Sequence, residues 1–322
     1  MAPRGCSAPL KRRVVDFAAD VPFNTVPAKL KEHYGIGLCP EVIRKITLFH
    51  AKQAGAFMET VDRKPKREAA TIIAEADGTM IPIVTLEDKA DGEDLRKTRK
   101  VKWKEARLSH ARNIDSVRAI FRATLKNIEE TGDKWFLCAL DAGFGDKTEV
   151  HCIGDGAPWI RDQADRIFAS QGSYLLDFYH VSEYLAGASE EIKPEDKKKW
   201  RQEQQSLLKS GQLYRVLENL ESFIYGGPKN RIEGLAYKCY NYLVKRLLQL
   251  DYFGAILSEL PIGSGEIESG HRHVIQKRMK RAGMWWKEEN AEEMLQLLTL
   301  RSNDYWENYW DKNHPSHKRE AA

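Results

Sequence analysis

Two aspartates in this 322-residue chain, Asp77 and Asp155, are each followed by glycine. Asp77 stands inside the alternating run "TIIAEADGTMIPIVT" and Asp155 ends the run "TEVHCIGDG", so both read as strand-borne. A carboxylate on a rigid strand with glycine beside it suits Mg²⁺, or Mn²⁺ in its place. Such ions take a few carboxylates and leave their other positions to water and phosphate oxygens. A third carboxylate would complete a site for two ions roughly 3.5–4 Å apart, one activating a nucleophilic oxygen and one stabilising the leaving oxygen of a phosphodiester.

The stretch "GSGEIESGHRHVIQKRMKRAGMWW", Gly263 to Trp286, offers two glutamates for that third place. On a helical wheel of about 100° per residue, Ile267, Val274, Ile275 and Met279 share one face. Glu268 falls within that arc and Glu266 near the opposite side, so the wheel selects Glu268 and makes Glu266 dispensable for metal binding. His271 and Arg278 border the arc, and Lys277, Arg278, Lys280 and Arg281 form the basic set expected on phosphate backbone. Trp285 and Trp286 either stack on an unpaired base or close the helix on the sheet. A further motif, "DFYH", sets Asp177 and His180 at the end of a strand expected next to the one that carries Asp155. They are site-adjacent, or hydrogen-bond to each other across the strand end. Taken singly, each DG pair also fits a turn, and Glu268 fits a helix cap behind Gly265.

Elements must bring these residues together. Residues 24–53 read as helix, tight turn, helix: Asn24 or Thr25 caps the first, Gly35 and Gly37 break it, and Pro40 opens the second. This is the punctuation of a helix-turn-helix or of an ordinary helical hairpin; in the first case Glu41, Arg44 and Lys45 lie where DNA contacts fall. From Thr71 three strands follow, with a charged loop around Ala90 to Lys100. A helix then runs from Asn127 to Ala142 with Gly143 as its C-cap. The strand ending at Asp155, a helix opening at Pro158, and the strand "SYLLDFYHV" come next. Three strands, helix, strand, helix, strand, then helices is the order of a ribonuclease H-like α/β domain, a mixed sheet covered by helices. Residues 182–260 carry amphipathic segments separated by Gly211 and "GGPKN", and read as an inserted helical subdomain. The tail after Trp310 has little to bury and reads as disordered.

Composition narrows the class. No window approaches the roughly 18–20 apolar residues of a membrane span, and the N-terminus lacks a secretory apolar core, so a cytoplasmic, bacterial location is expected. Five scattered cysteines without a C-x-x-C pair argue against a disulfide framework or a structural zinc site. Net charge is +4, too small to indicate a nucleic-acid protein by itself. The basic runs "RKTRKVKWK", "KKKW" and "KRMKR" are either solvated faces or DNA contacts.

In combination and in order, "ADGTMIPIV", "GDGAPWI", "DFYHVSEYL" and "GSGEIESGHRHVIQKRMKRAGMWW" resemble the transposases of bacterial insertion sequences of the Kra type, relatives of the Mutator-like superfamily. The similarity spans about Phe17 to Trp310. It implies a ribonuclease H-like fold, with Asp77, Asp155 and Glu268 as a DDE catalytic and metal-binding triad and a helical insertion between the second and third members. Asp177 and His180 fall on the superfamily's C/D-x-x-H motif. The 113 residues between Asp155 and Glu268 leave room for that insertion.

The resemblance further implies two Mg²⁺ or Mn²⁺ ions, DNA partners comprising terminal inverted repeats and target DNA, a homo-oligomer on DNA, no membrane, and association with the nucleoid. The expected regions are an N-terminal helical DNA-binding part (1–69), the first catalytic part (70–181), the insertion (182–260), the last catalytic part (261–310) and the tail. The roughly 70 residues before the sheet are fewer than the family's usual DNA-binding region, which suggests a truncated or misplaced start. Two rival functions are a DNA-binding protein without catalysis and a ribonuclease H-type nuclease.

Overall fold

The computed structural model describes residues 5–61, 68–86, 99–192, 195–225 and 234–313. Five strands, β1 (Thr71–Leu86), β2 (Arg99–Asn113), β3 (Ile120–Thr124), β4 (Glu149–Gly154) and β5 (Gly172–Leu176), form one mixed sheet in the order β3-β2-β1-β4-β5. β2 and β3 are antiparallel, whereas β1, β4 and β5 run parallel. Parallel neighbours need a crossover. Helix α4 (Ile128–Ala142) lies between β3 and β4 in the chain, and α5 (Pro158–Phe168) supplies the crossover from β4 to β5. The chain divides into two compact units, Met1–Ala69 with Asp77–Gly145 and Glu266–Ala322, and Ala70–Ala76 with Asp146–Gly265.

The first unit contains α1 (Ala8–Asp20), α2 (Val26–Tyr34) and α3 (Pro40–Glu59) as well as β2, β3 and α4. Gly35 ends α2 in the left-handed region at φ +66°, where a side chain would be strained, and Pro40 starts α3 with its φ already helical. Asn127 caps α4 by accepting from the Glu130 N–H, and Gly143 at φ +107° ends it, as expected. Strand alternation assigns the two faces of the sheet. Ala106, Leu108 and Ala123 join a core built with α1, α3 and α13 (Glu288–Ser302). On the other face Ser109 hydrogen-bonds the Thr131 carbonyl and Arg122 pairs with Asp141, both on α4.

In the region 1–69, expected as a part of its own, the described helices α1, α2 and α3 share a core with the sheet. The buried stripe of α3, including Ile43, Ile46, Ala54 and Met58, packs on α13. At the end of the chain, α14 (Trp306–Asn313) tucks in the Tyr309 hydroxyl, 2.7 Å from His50 Nδ1. The tail expected from residue 311 thus begins as helix. Its remainder lies outside the described residues, as do "GGPKN" and the charged loop up to residue 98.

The second unit has β4, α5 and β5, followed by α6 (Phe178–Ile192), α7 (Lys197–Lys209), α8 (Leu213–Tyr225), α9 (Leu235–Val244) and α10 (Tyr252–Leu257). Val216, Leu220 and Ile224 of α8 recur every fourth residue and meet Val181, Leu185 and Ala188 of α6 and Cys239 and Leu243 of α9 in a separate core. The expected strand "SYLLDFYHV" stops at Leu176, and α6 starts at Phe178 rather than after Ser182. Among the described residues no helix is long and apolar enough to cross a membrane.

Trp135 is fully buried where α4 meets β2, and its indole N–H donates to the His110 carbonyl. Replacing it with alanine leaves a cavity and removes the indole's hydrogen bond to that carbonyl. Trp135→Ala is expected to lower stability by about 3–5 kcal/mol in urea unfolding; a change below about 1 kcal/mol would contradict this packing.

Candidate active site

The aspartates follow a shared register. Glu75 of β1 is the register partner of Ile153 of β4; Asp77 comes two residues after the first and Asp155 two residues after the second. In the first unit Asp77 is about one-third exposed, and its Oδ1 accepts from the Gly78 N–H. His271 Nε2 lies 3.2 Å from Asp77 Oδ2, close enough for an ion pair but off the hydrogen-bonding direction. The imidazole is buried, and its Nδ1 has no hydrogen-bond partner among the described residues.

The segment carrying His271 is not one uniform helix. It runs as α11 (Gly265–Gly270), a π-helical turn over His271–Gln276, and α12 (Lys277–Met279). Ile267, Val274, Ile275 and Met279 are buried, as the wheel requires. The glutamates are not where it places them. In α11 the buried face consists of Ile267, Gly270 and, at the turn's start, His271, which leaves Glu266 and Glu268 about 100° to either side of Ile267. The wheel extended one α-helical phase through a π turn, where the extra residue shifts the later apolar positions.

Glu266 accordingly faces β2. Arg112 grips it with Nε at 2.8–2.9 Å and Nη2 at 2.7 Å, and His110 Nε2 lies 3.2 Å away. Burial pushes this carboxyl up, but nearby His110 and the Arg112 hydrogen bonds outweigh it and hold the pKa at about 2. Glu268 is instead 65% exposed, with Arg272 3.8 Å away as its ion-pair neighbour. It does not pack on the sheet, yet it is the glutamate whose oxygens remain available.

In the second unit Asp155 follows the end of β4, and its Oδ1 accepts from the Ala157 N–H. Tyr242 donates its hydroxyl to the Asp155 carbonyl at 2.7 Å, and Arg246 Nη2 donates to the Gly156 carbonyl at 2.9 Å. Gly156 has φ +89°, and a Cβ there would come within 2.6 Å of the Tyr242 oxygen. Both conformation and space require glycine at that position. Gly78 is less constrained: a Cβ there would meet only the movable end of the Glu105 side chain. The glycines expected to admit a metal or phosphate admit protein side chains in both places.

Asp177 is buried, and all of its acceptor capacity serves the fold. Oδ1 takes the Tyr179 and His180 N–H groups at the start of α6, while Oδ2 takes the Ser264 N–H at 2.7 Å and the Ser264 hydroxyl. It is a helix cap and a tether for the segment leading to α11. His180 does not bond Asp177 through its ring; Nδ1 lies 3.6 Å from Glu183.

Of the basic residues expected on DNA, Arg278 is excluded. It is buried against the Phe23 and Trp286 rings, which also touch each other edge to face, and its Nε donates to the Ala18 carbonyl at 2.7 Å. Burial depresses its pKa to about 10. Arg281 donates to the Lys277 and Asp20 carbonyls, and Arg44 and Lys45 both pair with Glu41. Lys277 and Lys280 remain exposed. Trp286 is core, its backbone bonded to Pro82 and Val84 of β1, whereas Trp285 is partly exposed beneath Arg99.

The donor chemistry of Asp77, Asp155 and Glu268, carboxylate oxygens alone, fits a hard dication. Among the described residues no three His, Cys, Asp or Glu side chains are gathered as a metal cluster. Asp77 and Glu268 belong to one unit and Asp155 to the other.

This chain is similar to UPF0236 proteins. Two from Caldanaerobacter subterraneus subsp. tengcongensis are 26% identical to it over 291 residues, covering 85% of this chain and 56% and 53% of theirs. The UPF0236 protein in the vanSb 3′ region of Streptococcus gallolyticus is 32% identical over 168 residues, covering 50% of this chain and 35% of that one. The chain thus spans about half the length of the curated relatives it matches. One Caldanaerobacter name joins eleven loci of a single genome. No family model matches the chain.

Sequence reasoning missed Arg112, His110, Ser264, Tyr242 and Arg246. Their signals are long-range, since each acts on a residue 87 to 156 positions away; only the alternation of His110 and Arg112 on one strand face offered a local hint.

The clamp on Glu266 predicts a pH-dependent effect. Its folded-state pKa of about 2 lies below its ordinary 4.5, so its stabilisation is complete above about pH 4.5 and disappears as pH falls toward 2. Glu266→Gln is expected to cost roughly 1–2 kcal/mol at pH 7, discounted for the solvent-screened part of the side chain. The difference from wild type should close near pH 2–3 in denaturant titrations; an equal gap at both pH values would refute the clamp.

Proposed function

We propose that this protein is a DDE transposase of an insertion sequence, with a ribonuclease H-like catalytic fold. The observation that supports it best is the sheet order β3-β2-β1-β4-β5, with an aspartate two residues past each member of the Glu75–Ile153 register pair. An exposed glutamate follows the intervening helices. A name shared by many loci in one relative's genome is the copy pattern of a mobile element.

On this reading, Asp77, Asp155 and Glu268 would hold two Mg²⁺ or Mn²⁺ ions, which when bound supply activation of the attacking oxygen and stabilisation of the leaving one. Asp77 is held on the sheet, with His271 beside its outer oxygen. Asp155 is fixed through its backbone by Tyr242. Glu268 is turned toward solvent because Arg112 holds its neighbour Glu266 to β2. Exposed Lys277 and Lys280 carry charge for the phosphate backbone, and Lys280 lies near the ring of exposed Trp103. The substrates would be terminal repeats, cleaved by hydrolysis and joined to target DNA through the freed 3′ hydroxyl.

The test is cleavage and strand transfer on duplexes that carry the repeats bounding the gene, with Mg²⁺ or Mn²⁺. Asp77→Asn, Asp155→Asn and Glu268→Gln should each lower the rate more than about 100-fold, the scale of losing one charge-stabilising group. Glu266→Gln should retain metal-dependent cleavage. The proposal fails if wild type and Glu268→Gln are equally inactive, or if the protein cuts RNA in hybrids without joining DNA ends.

A further inference from the structure

The helical part of the second unit contains an open cavity of about 550 Å³. Tyr184 of α6 and Tyr237, Lys238 and Tyr242 of α9 line it, together with Lys245 and Arg246 just beyond α9. Its size falls in the ordinary range for small-ligand sites.

The walls combine two kinds of group. Tyr184 and Tyr242 stack with centroids 3.9 Å apart and planes 12° from parallel. The Arg246 guanidinium lies 4.0 Å from the Tyr242 centroid; with Tyr184 equally close, the two must cover opposite faces of that ring. Tyr184 and Tyr237 remain partly exposed. Lys238 and Lys245 are exposed, and no carboxylate pairs with either of them or with Arg246 among the described residues. Arg246 has a structural role in its carbonyl and ring contacts, but the two exposed lysines beside an aromatic floor are poorly explained by folding alone.

The cavity also leads somewhere. Lys245 and Arg246 line a second, smaller cavity of about 180 Å³ as well, whose other walls include Gly156, Pro158 and Arg161. Arg246 donates to the Gly156 carbonyl and Tyr242 to that of Asp155, so the same side chains line the first cavity and hold the Asp155 loop. Burial raises the Tyr242 and Tyr174 phenols, which therefore remain neutral beside a phosphate.

We propose that this cavity is a nucleotide subsite for an unpaired base of a DNA strand, stacked on the partly exposed Tyr184 and Tyr237 with its phosphate on Lys245 and Arg246. Aromatic stacking accepts any base, and the cations take its backbone. The strand would continue past Arg161 toward Asp155. This inference rests on the protein's acting on DNA ends, but it concerns binding and can be read without catalysis.

The full chain would be titrated in EDTA against duplexes that differ only in a short single-stranded tail containing 2-aminopurine. A tailed duplex should bind about tenfold more tightly than a blunt one, with quenched 2-aminopurine fluorescence. Tyr184→Ala should abolish both effects, and Tyr184→Phe should keep them. Lys238→Glu with Lys245→Glu, at exposed positions outside the core, should weaken tail binding and flatten its salt dependence. The proposal is overturned if blunt and tailed duplexes bind alike, if folded Tyr184→Ala binds the tail as wild type does, or if free dAMP competes as well as the tailed duplex. Tail binding of this kind by a protein that cleaves nothing would uphold the subsite while the catalytic reading fails. Cleavage without tail preference would do the reverse.

Discussion

A partly dehydrated carboxylate must be given donors, and the first unit supplies them where Arg112 and His110 of β2 meet Glu266. Desolvation alone would raise this carboxyl, yet the Arg112 hydrogen bonds, with His110 beside them, prevail and hold it ionised. That contact fixes the rotation of α11. With Glu266 on the strand and Ile267 in the core, Glu268 must emerge on the other flank, and His271 one turn later comes to Asp77. The π-helical turn that follows keeps Val274 and Ile275 buried despite the rotation. One ion pair thereby decides which glutamate is structural and which remains free.

In the second unit the same work is divided between an acid and two donors. Asp177 caps α6 with one oxygen and holds Ser264 with the other, so the chain leaves the helical region at a fixed point. Tyr242 and Arg246, contributed by the helical region, fasten the carbonyls of Asp155 and Gly156. The helices between the second aspartate and the glutamate are therefore more than a spacer. They hold the backbone on which that aspartate sits.

Much of the fold was legible in the sequence because it is encoded locally. The order of strands and helices, the Gly35 and Gly143 stops and Pro40 all depend on neighbouring residues. The errors have physical causes. "DFYH" alternates like a strand, but a single aspartate accepting two N–H groups turns it into a helix start. The wheel failed at Glu268 because a π turn is invisible to a fixed period. Arg278 read as a phosphate contact because charge is usually solvated; here the Ala18 carbonyl, the Met284 sulfur and two aromatic rings replace the water. The N-terminal helices read as a separate module because nothing local shows that the buried face of α3 meets α13 more than two hundred residues later.

The glycines after the two aspartates illustrate why site chemistry is harder to read than fold. A glycine beside a carboxylate suggests room for a ligand, and that idea led to both aspartates. At Gly78 the room belongs to Glu105, and at Gly156 to Tyr242, Leu176 and Arg246. In each case the missing side chain allows a neighbour to close on the backbone beside the acid, leaving that carboxylate's position less free to drift. A group meant to meet a charged substrate gains from such rigidity, because orientation already fixed by the fold need not be imposed at binding. The glycines beside Asp77 and Asp155 thus report the supports that press against the backbone there rather than a space left open.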